Sequence, residues 1–340
     1  MALSPVHPAP PVAPVALASP RRRALALLAA LSPLLGSRPA QAQPGNPGVI
    51  TLYVPWPAGG ATDVTLRVLA DLAGQQLGQK IIIENRPGAG GSLAMPLLQQ
   101  APADGSVLAQ MPQPVFRIPF LQKVAWDPIR DTTPLLQISG VTFGILVASH
   151  SPLRHLGDLL DFARQHPGEL SVATNGNGTT PHVVMEELLS EQGLRYIHVP
   201  YKGTAEQMLA VAAGQVMVGV NSNGFAPYVD SGRLRLLVTF SETRTRRWPQ
   251  VPTLKELGYP IVATSPYGLV GPRGMAPELV QRLHAAFKAA LFHPRHLAEL
   301  AKYDQEPAYL GPADYGRAMA QAYALERRQA ERQGLIAPNA

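Results

Sequence analysis

From Val49 onward, short β-branched or apolar runs alternate with longer amphipathic stretches, and few folds accommodate that alternation. Val49 to Val54 reads as a strand, Val64 to Leu77 as a helix and Lys80 to Glu84 as a second strand. Phe143 to Ala148, Leu170 to Ala173 and Gln215 to Val220 continue the strands, and Leu156 to Gln165, Val183 to Glu191 and Ala205 to Ala213 read as helices between them. Such an order predicts an α/β protein whose parallel sheets carry helices on both faces. Two closing helices are expected at Pro277 to Ala290 and Tyr315 to Gln333, with Leu279, Leu283, Phe287 and Leu291 spaced as a core stripe. A chain of 340 residues that is 46% hydrophobic exceeds the usual single-domain size, so two domains are expected.

The first 42 residues follow another pattern. Arg21, Arg22 and Arg23 precede an apolar run from Ala24 to Leu35 and then Ala40-Gln41-Ala42. This is the order of a signal peptide, with cleavage expected after Ala42 and a periplasmic destination; the apolar run is too short to span a bilayer. The stretch before Arg21 is long and rich in Pro and Ala for such a leader, compatible with translation starting after Met1. The rest of a twin-arginine motif is weak, which favours the Sec route. Removing 1–42 takes away four arginines and no acid, so the net charge falls from +6 to +2. Basicity then says little about partners. The run Arg244 to Arg247 has no interleaved aromatics and reads as a solvated turn, so no nucleic-acid partner is expected.

Cysteine is absent, which excludes disulfides, thiol nucleophiles and cysteine metal sites. The nine histidines show no metal-ligand spacing, and no phosphate loop or complete dinucleotide fingerprint occurs; no cofactor and no metal are expected.

Three Gly-rich turns sit directly between strands and helices, where unpaired N–H groups and the positive helix end favour anions. The first runs Pro55-Trp56-Pro57-Ala58-Gly59-Gly60-Ala61-Thr62-Asp63, the second Arg86-Pro87-Gly88-Ala89-Gly90-Gly91-Ser92, and the third Thr174-Asn175-Gly176-Asn177-Gly178-Thr179-Thr180-Pro181-His182. Gly60 and Asn175, in the first and third, are 115 residues apart in separate expected lobes. Asp63 in a first helical turn orders the loop rather than acting as a base, and His182 caps or braces the third loop.

These pieces resemble the Bug receptors, extracytoplasmic solute-binding proteins related to the receptors of tripartite tricarboxylate transporters. The similarity spans the mature chain: Pro55 to Gly60 with Asp63, Glu84 to Gly91, Asp104-Gly105, the third loop with His182, Val199 to Gly203, Gly214-Gln215-Val216, Ser231 to Arg235 and Val251-Pro252-Thr253 occur in order. The resemblance implies a type II periplasmic-binding-protein fold, two α/β lobes joined by two crossing strands with a ligand cleft between them. It places lobe 1 at 43–142 plus 263–340 and lobe 2 at 143–262, with crossings near Gly140 to Phe143 and Ile261 to Pro266. It implies a non-catalytic, monomeric receptor that closes on a small mono- or dicarboxylate and meets membrane permease subunits or a sensor kinase. The implied ligand residues are Pro57, Ala58, Gly59, Gly60 and Asp63 in the first lobe and Asn175, Gly176, Gly178, Thr179, Thr180, His182, Gly203 and Asn221 in the second.

Departures from the family pattern touch the ligand. Asn221 stands where relatives often carry an aspartate, which weakens selection for an amino group and favours a simple or dicarboxylic acid. Tyr267 stands where tryptophan is common. Met111 to Pro119 diverges, making Phe116 and Arg117 candidates for the ligand's distal end, with a surface loop as the other reading. The rival class is an exported hydrolase with Ser92 or Thr179 as nucleophile; no Gly-x-Ser-x-Gly elbow supports it.

Overall fold

The computed structural model describes residues 48–332, so the expected leader and its cleavage point lie outside the described residues. The element order is β1 (Val49–Val54), α1 (Ala61–Leu77), β2 (Lys80–Asn85), α2 (Ala94–Gln100), β3 (Val107–Met111), α3 (Pro114–Leu121), β4 (Thr132–Ala148), α4 (Leu156–Gln165) and β5 (Ser171–Thr174). It continues with α5 (Thr180–Ser190), β6 (Ile197–Pro200), α6 (Thr204–Ala212), β7 (Val218–Ser222), α7 (Ala226–Asp230), β8 (Leu234–Thr239) and β9 (Thr264–Pro272). The chain ends in α8 (Pro277–Leu291), α9 (Pro294–Ala301), β10 (Pro307–Leu310) and α10 (Pro312–Arg332).

The strands run β2-β1-β3-β9-β4-β7-β5-β6, with β8 and β10 also paired to β4. β1, β2 and β3 are parallel to one another, as are β5, β6 and β7. The sheet is nonetheless mixed, because β4 pairs antiparallel with β7, β8, β9 and β10, and β3 pairs antiparallel with β9. The purely parallel expectation fails at β4. This strand is 17 residues long, and its two ends serve different sets of partners. Thr132 to Thr142 lies beside β9, while Phe143 to Val147 lies beside β7.

Both faces of each half are covered. On the first half Leu52 and Leu108 pack with Leu283 and Phe287 of α8, while Ala109 and Met111 pack with Met95, Phe116 and Met319. Along β4, Ile145 and Val147 join Leu159, Met185 and Val220, whereas Leu146 between them joins Met208, Phe225 and Leu236. Period-two alternation between two apolar surfaces explains why these strands read as continuous hydrophobic runs. α1 begins three residues before the periodic pattern indicates, at Ala61 after the cap residue Gly60. Among the described residues, no helix is long and apolar enough to cross a membrane.

Candidate ligand-binding cleft

Three helix N-termini meet at one cleft. α1 is capped by Gly60, α5 by Thr179 and α6 by Gly203, all with extended backbone and none with a side-chain cap on the first turn. The first N–H groups of a helix have no intrahelical acceptor and carry the positive end of its dipole. Gly60, Ala61 and Thr62, then Thr179 and Thr180, then Gly203, Thr204 and Ala205 line the same space.

The loop before α1 is braced from behind. Asp63 is 1% exposed and accepts hydrogen bonds from the Gly59 N–H at 2.8 Å, Arg67 Nε at 2.9 Å and Asn85 Nδ2 at 2.8 Å. Asn85 also donates to the Trp56 carbonyl at 2.9 Å. Burial alone works against ionisation of Asp63, but the bonds from Arg67, Asn85 and Gly59 outweigh it and hold the pKa below the ordinary 3.8. Gly59 turns the chain at φ +80°, where a side chain would be strained.

The loop before α5 has its own supports. Gly178 N–H donates to His182 Nδ1 at 3.1 Å, and Thr179 Oγ1 donates to the Gly176 carbonyl at 2.7 Å. The His182 ring stacks on His198 with centroids 4.0 Å apart, and His198 Nε2 lies 2.7 Å from Thr174 Oγ1. Burial, with the neighbouring ring adding to it, lowers His198 to about 4; burial also lowers His182. Burial favours the neutral form of both rings, and His182 is an acceptor for the loop.

Of the residues expected from sequence, Pro57, Ala58, Gly60, Asn175, Thr179, Thr180 and Gly203 line the cleft. Gly59, Asp63, Gly176, Gly178, His182 and Asn221 do not. Asn221 is fully buried, with Oδ1 accepting from Thr204 Oγ1 at 3.1 Å and from the Ser222 N–H at 2.6 Å, while Nδ2 donates to Gln207. It therefore holds two lining residues from behind instead of setting the charge of the wall. Phe116 and Arg117 sit in a buried helix, α3, and line neither the cleft nor a surface loop. Ser92 Oγ donates to the Ala89 carbonyl at 2.9 Å, and Thr179 Oγ1 is likewise committed to a carbonyl, so neither is poised against a base as a hydrolase needs.

Sequence reasoning missed Gln110, Phe143, Ser222 and Ser265 on the wall, and had noted Tyr267 only as a departure. Gln110 had a faint signal, a lone polar residue inside the apolar run of β3. Three buried side-chain atoms at the cleft lack a hydrogen-bond partner: Gln110 Oε1, Asn175 Oδ1 and Thr180 Oγ1. Each such atom ordinarily costs about 1–3 kcal/mol, and all three belong to residues that line this one cavity. Among the described residues on this wall there is no Asp, Glu, Lys, Arg or His, and burial raises the one phenol, Tyr267, to about 12. No lining side chain adds a formal charge to the dipoles of the three helix N-termini.

Comparison with known proteins agrees with this arrangement. A UPF0065 protein in the gbd 5'region of Cupriavidus necator is 44% identical over 305 residues, covering 88% of this chain and 93% of that protein. The periplasmic binding protein BugD has the same fold, with a TM-score of 0.80 at 24% identity over 85% of this chain and 98% of its own. An R. palustris protein solved with adipate matches with a TM-score of 0.79 and 28% identity, over 85% of this chain and 99% of its own. The model of the tripartite tricarboxylate transporter family receptor matches residues 65–335. The chain thus belongs to the tripartite tricarboxylate transporter receptor family, a family of solute-binding receptors rather than enzymes.

Proposed function

We propose that this receptor captures a small mono- or dicarboxylate lacking an ammonium group. The observation that carries this reading is the meeting of three helix N-termini without side-chain caps in a cleft whose lining side chains bear no charge. N-terminal dipoles and N–H groups stabilise a carboxylate without the desolvation cost of burying Arg or Lys. An amino acid would bury its ammonium with no carboxylate to pair it, a penalty of several kcal/mol. Adipate in the related R. palustris protein fits this chemistry. Asn175, Thr180 and Gln110 supply the polar side-chain contacts, and Trp56, Phe143 and Tyr267 enclose the aliphatic part.

In this reading residues 43–142 with 263–340 form one lobe and 143–262 the other, and the ligand draws them together by making contacts that only the closed state offers. The closed monomer is what a permease of the tripartite type, or a sensor, would recognise. The test is thermal melting of the chain from residue 43 against C3 to C8 mono-, di- and tricarboxylates, aromatic acids and amino acids. A hundredfold excess over Kd is expected to stabilise by about 2.7 kcal/mol, a shift of several degrees, for an acid and for no amino acid. Stabilisation by an amino acid alone would overturn the ligand class.

A further inference from the structure

We propose that Arg117 is a positioning residue for the ligand loop, a clasp through which the C-terminal helix holds the peptide between Gly178 and Thr179. Arg117 is 7% exposed. Its Nε donates to Glu326 Oε2 at 2.6 Å and Nη2 to Glu326 Oε1 at 2.9 Å, while Nη1 donates to the Gly178 carbonyl at 2.9 Å. Glu326, on α10 and 3% exposed, also accepts from Gln113 Nε2 at 3.0 Å. One planar guanidinium thus joins α3, α10 and the loop before α5. A lysine in its place offers one compact ammonium and cannot span the same set of acceptors.

Packing along the same helix agrees. Gly178, at φ +69°, lies against Leu121, so that a Cβ there would come within 3.3 Å of Leu121 Cδ1. A Cβ on Gly90 would meet Ile118 Cδ1 at 3.2 Å and the Asn177 carbonyl at 3.5 Å. Arg117 and Leu121 therefore seat α3 against Gly178, and Gly90 fits closely beside both Ile118 and the Asn177 carbonyl. In a trans peptide the N–H points opposite the carbonyl, so fixing the Gly178 carbonyl also fixes the Thr179 N–H. That N–H makes only a long contact, 3.5 Å, to the Gly176 carbonyl, and Thr179 lines the cleft. A buried ion pair is a weak source of net stability. Its use here is to set the direction of one cleft peptide and to tie cleft geometry to the seating of α10.

The inference rests on the reading of this cleft as a closing carboxylate receptor, and its test is built so that the two fail separately. The chain has no cysteine, so spin labels at Gln76→Cys on α1 and Gln165→Cys on α4, both exposed, report the separation of the two halves without other labelling. Distances are measured with no additive for the parent, for Arg117→Lys, and for Arg117→Met with Glu326→Leu, which removes the pair without stranding a charge. Both variants are expected to broaden the distribution toward longer separations. Dissociation of adipate, used as the probe, is expected to speed up about tenfold in Arg117→Lys, the scale of one lost charge-assisted hydrogen bond. Unchanged distances in both variants overturn the clasp, even where melting temperature falls, because that pattern belongs to a merely structural ion pair. If adipate fails to bind the parent, the distances still decide the clasp, and the melting panel decides the ligand class.

Discussion

Asp63 shows how a residue acts on a site it does not touch. Its carboxylate gathers donors from the loop, from α1 and from β2, so neutralising it leaves donors facing donors. Asp63→Asn is expected to cost about 2 kcal/mol, the range for a buried group stripped of its partner, seen as a melting temperature lower by a few degrees. The sign with pH follows from the lowered pKa. A carboxyl whose folded pKa lies below its unfolded value stabilises fully above about pH 4, and this contribution is lost as pH falls through the folded pKa. The variant is therefore expected to show a shallower loss of stability below pH 4 than the parent, read by chemical denaturation at stepped pH. Asp63 and His182 were legible as braces, because an acid in a first turn and a histidine after a Gly-rich loop have evident local tasks. Asn221 was not. Its neighbours Thr204 and Gln207 come from α6, and only tertiary structure shows that it faces them and not the cleft.

At the scale of elements, α1, α4, α5, α6, α8 and α10 were legible, whereas the shorter helices α2, α3, α7 and α9 and the longest strand were not. α4 matches its periodic run residue for residue, and α5 and α6 start at the Gly-rich or Gly-ended turns that cap them. β4 contains Pro134, Gly140 and Gly144, which read locally as breaks; its continuity comes from β7, β8 and β9, and the β9 partners lie 122 (Thr142 to Thr264) to 140 (Thr132 to Pro272) residues away in sequence. Loop-to-loop contact is another element-level feature. A Cβ placed on Gly203 would lie 2.4 Å from Cγ and 2.8 Å from Cδ of Pro57, so the cap of α6 and the loop before α1 meet with no room for a methyl group. The backbone at Gly203 is extended, which any residue adopts, so Gly203→Ala strains the encounter and not the local chain. We expect binding of whichever acid the melting panel identifies to weaken at least tenfold by calorimetry, while the melting temperature without additive moves by less than about 2 °C, the shift of roughly 1 kcal/mol or less. A large fall in melting temperature with affinity intact would reverse that reading.

For the molecule as a whole, the antiparallel run from Thr132 to Thr142 beside Thr264 to Pro272 makes the two chain passages between the halves a single paired ribbon. In the proposed two-lobe reading, bending would centre where β4 changes partners, near Phe143. The walls brought together by such bending hold no side chain that titrates in the neutral range. In the proposed capture of an acid, no lining lysine gains a proton and no lining carboxyl loses one. Affinity for a fully ionised acid should stay level from pH 7 to pH 9, and calorimetry in buffers of different ionisation enthalpy should return the same heat. A receptor that captures an acid as proposed would report the concentration of an anion without reporting the acidity of the compartment that supplies it.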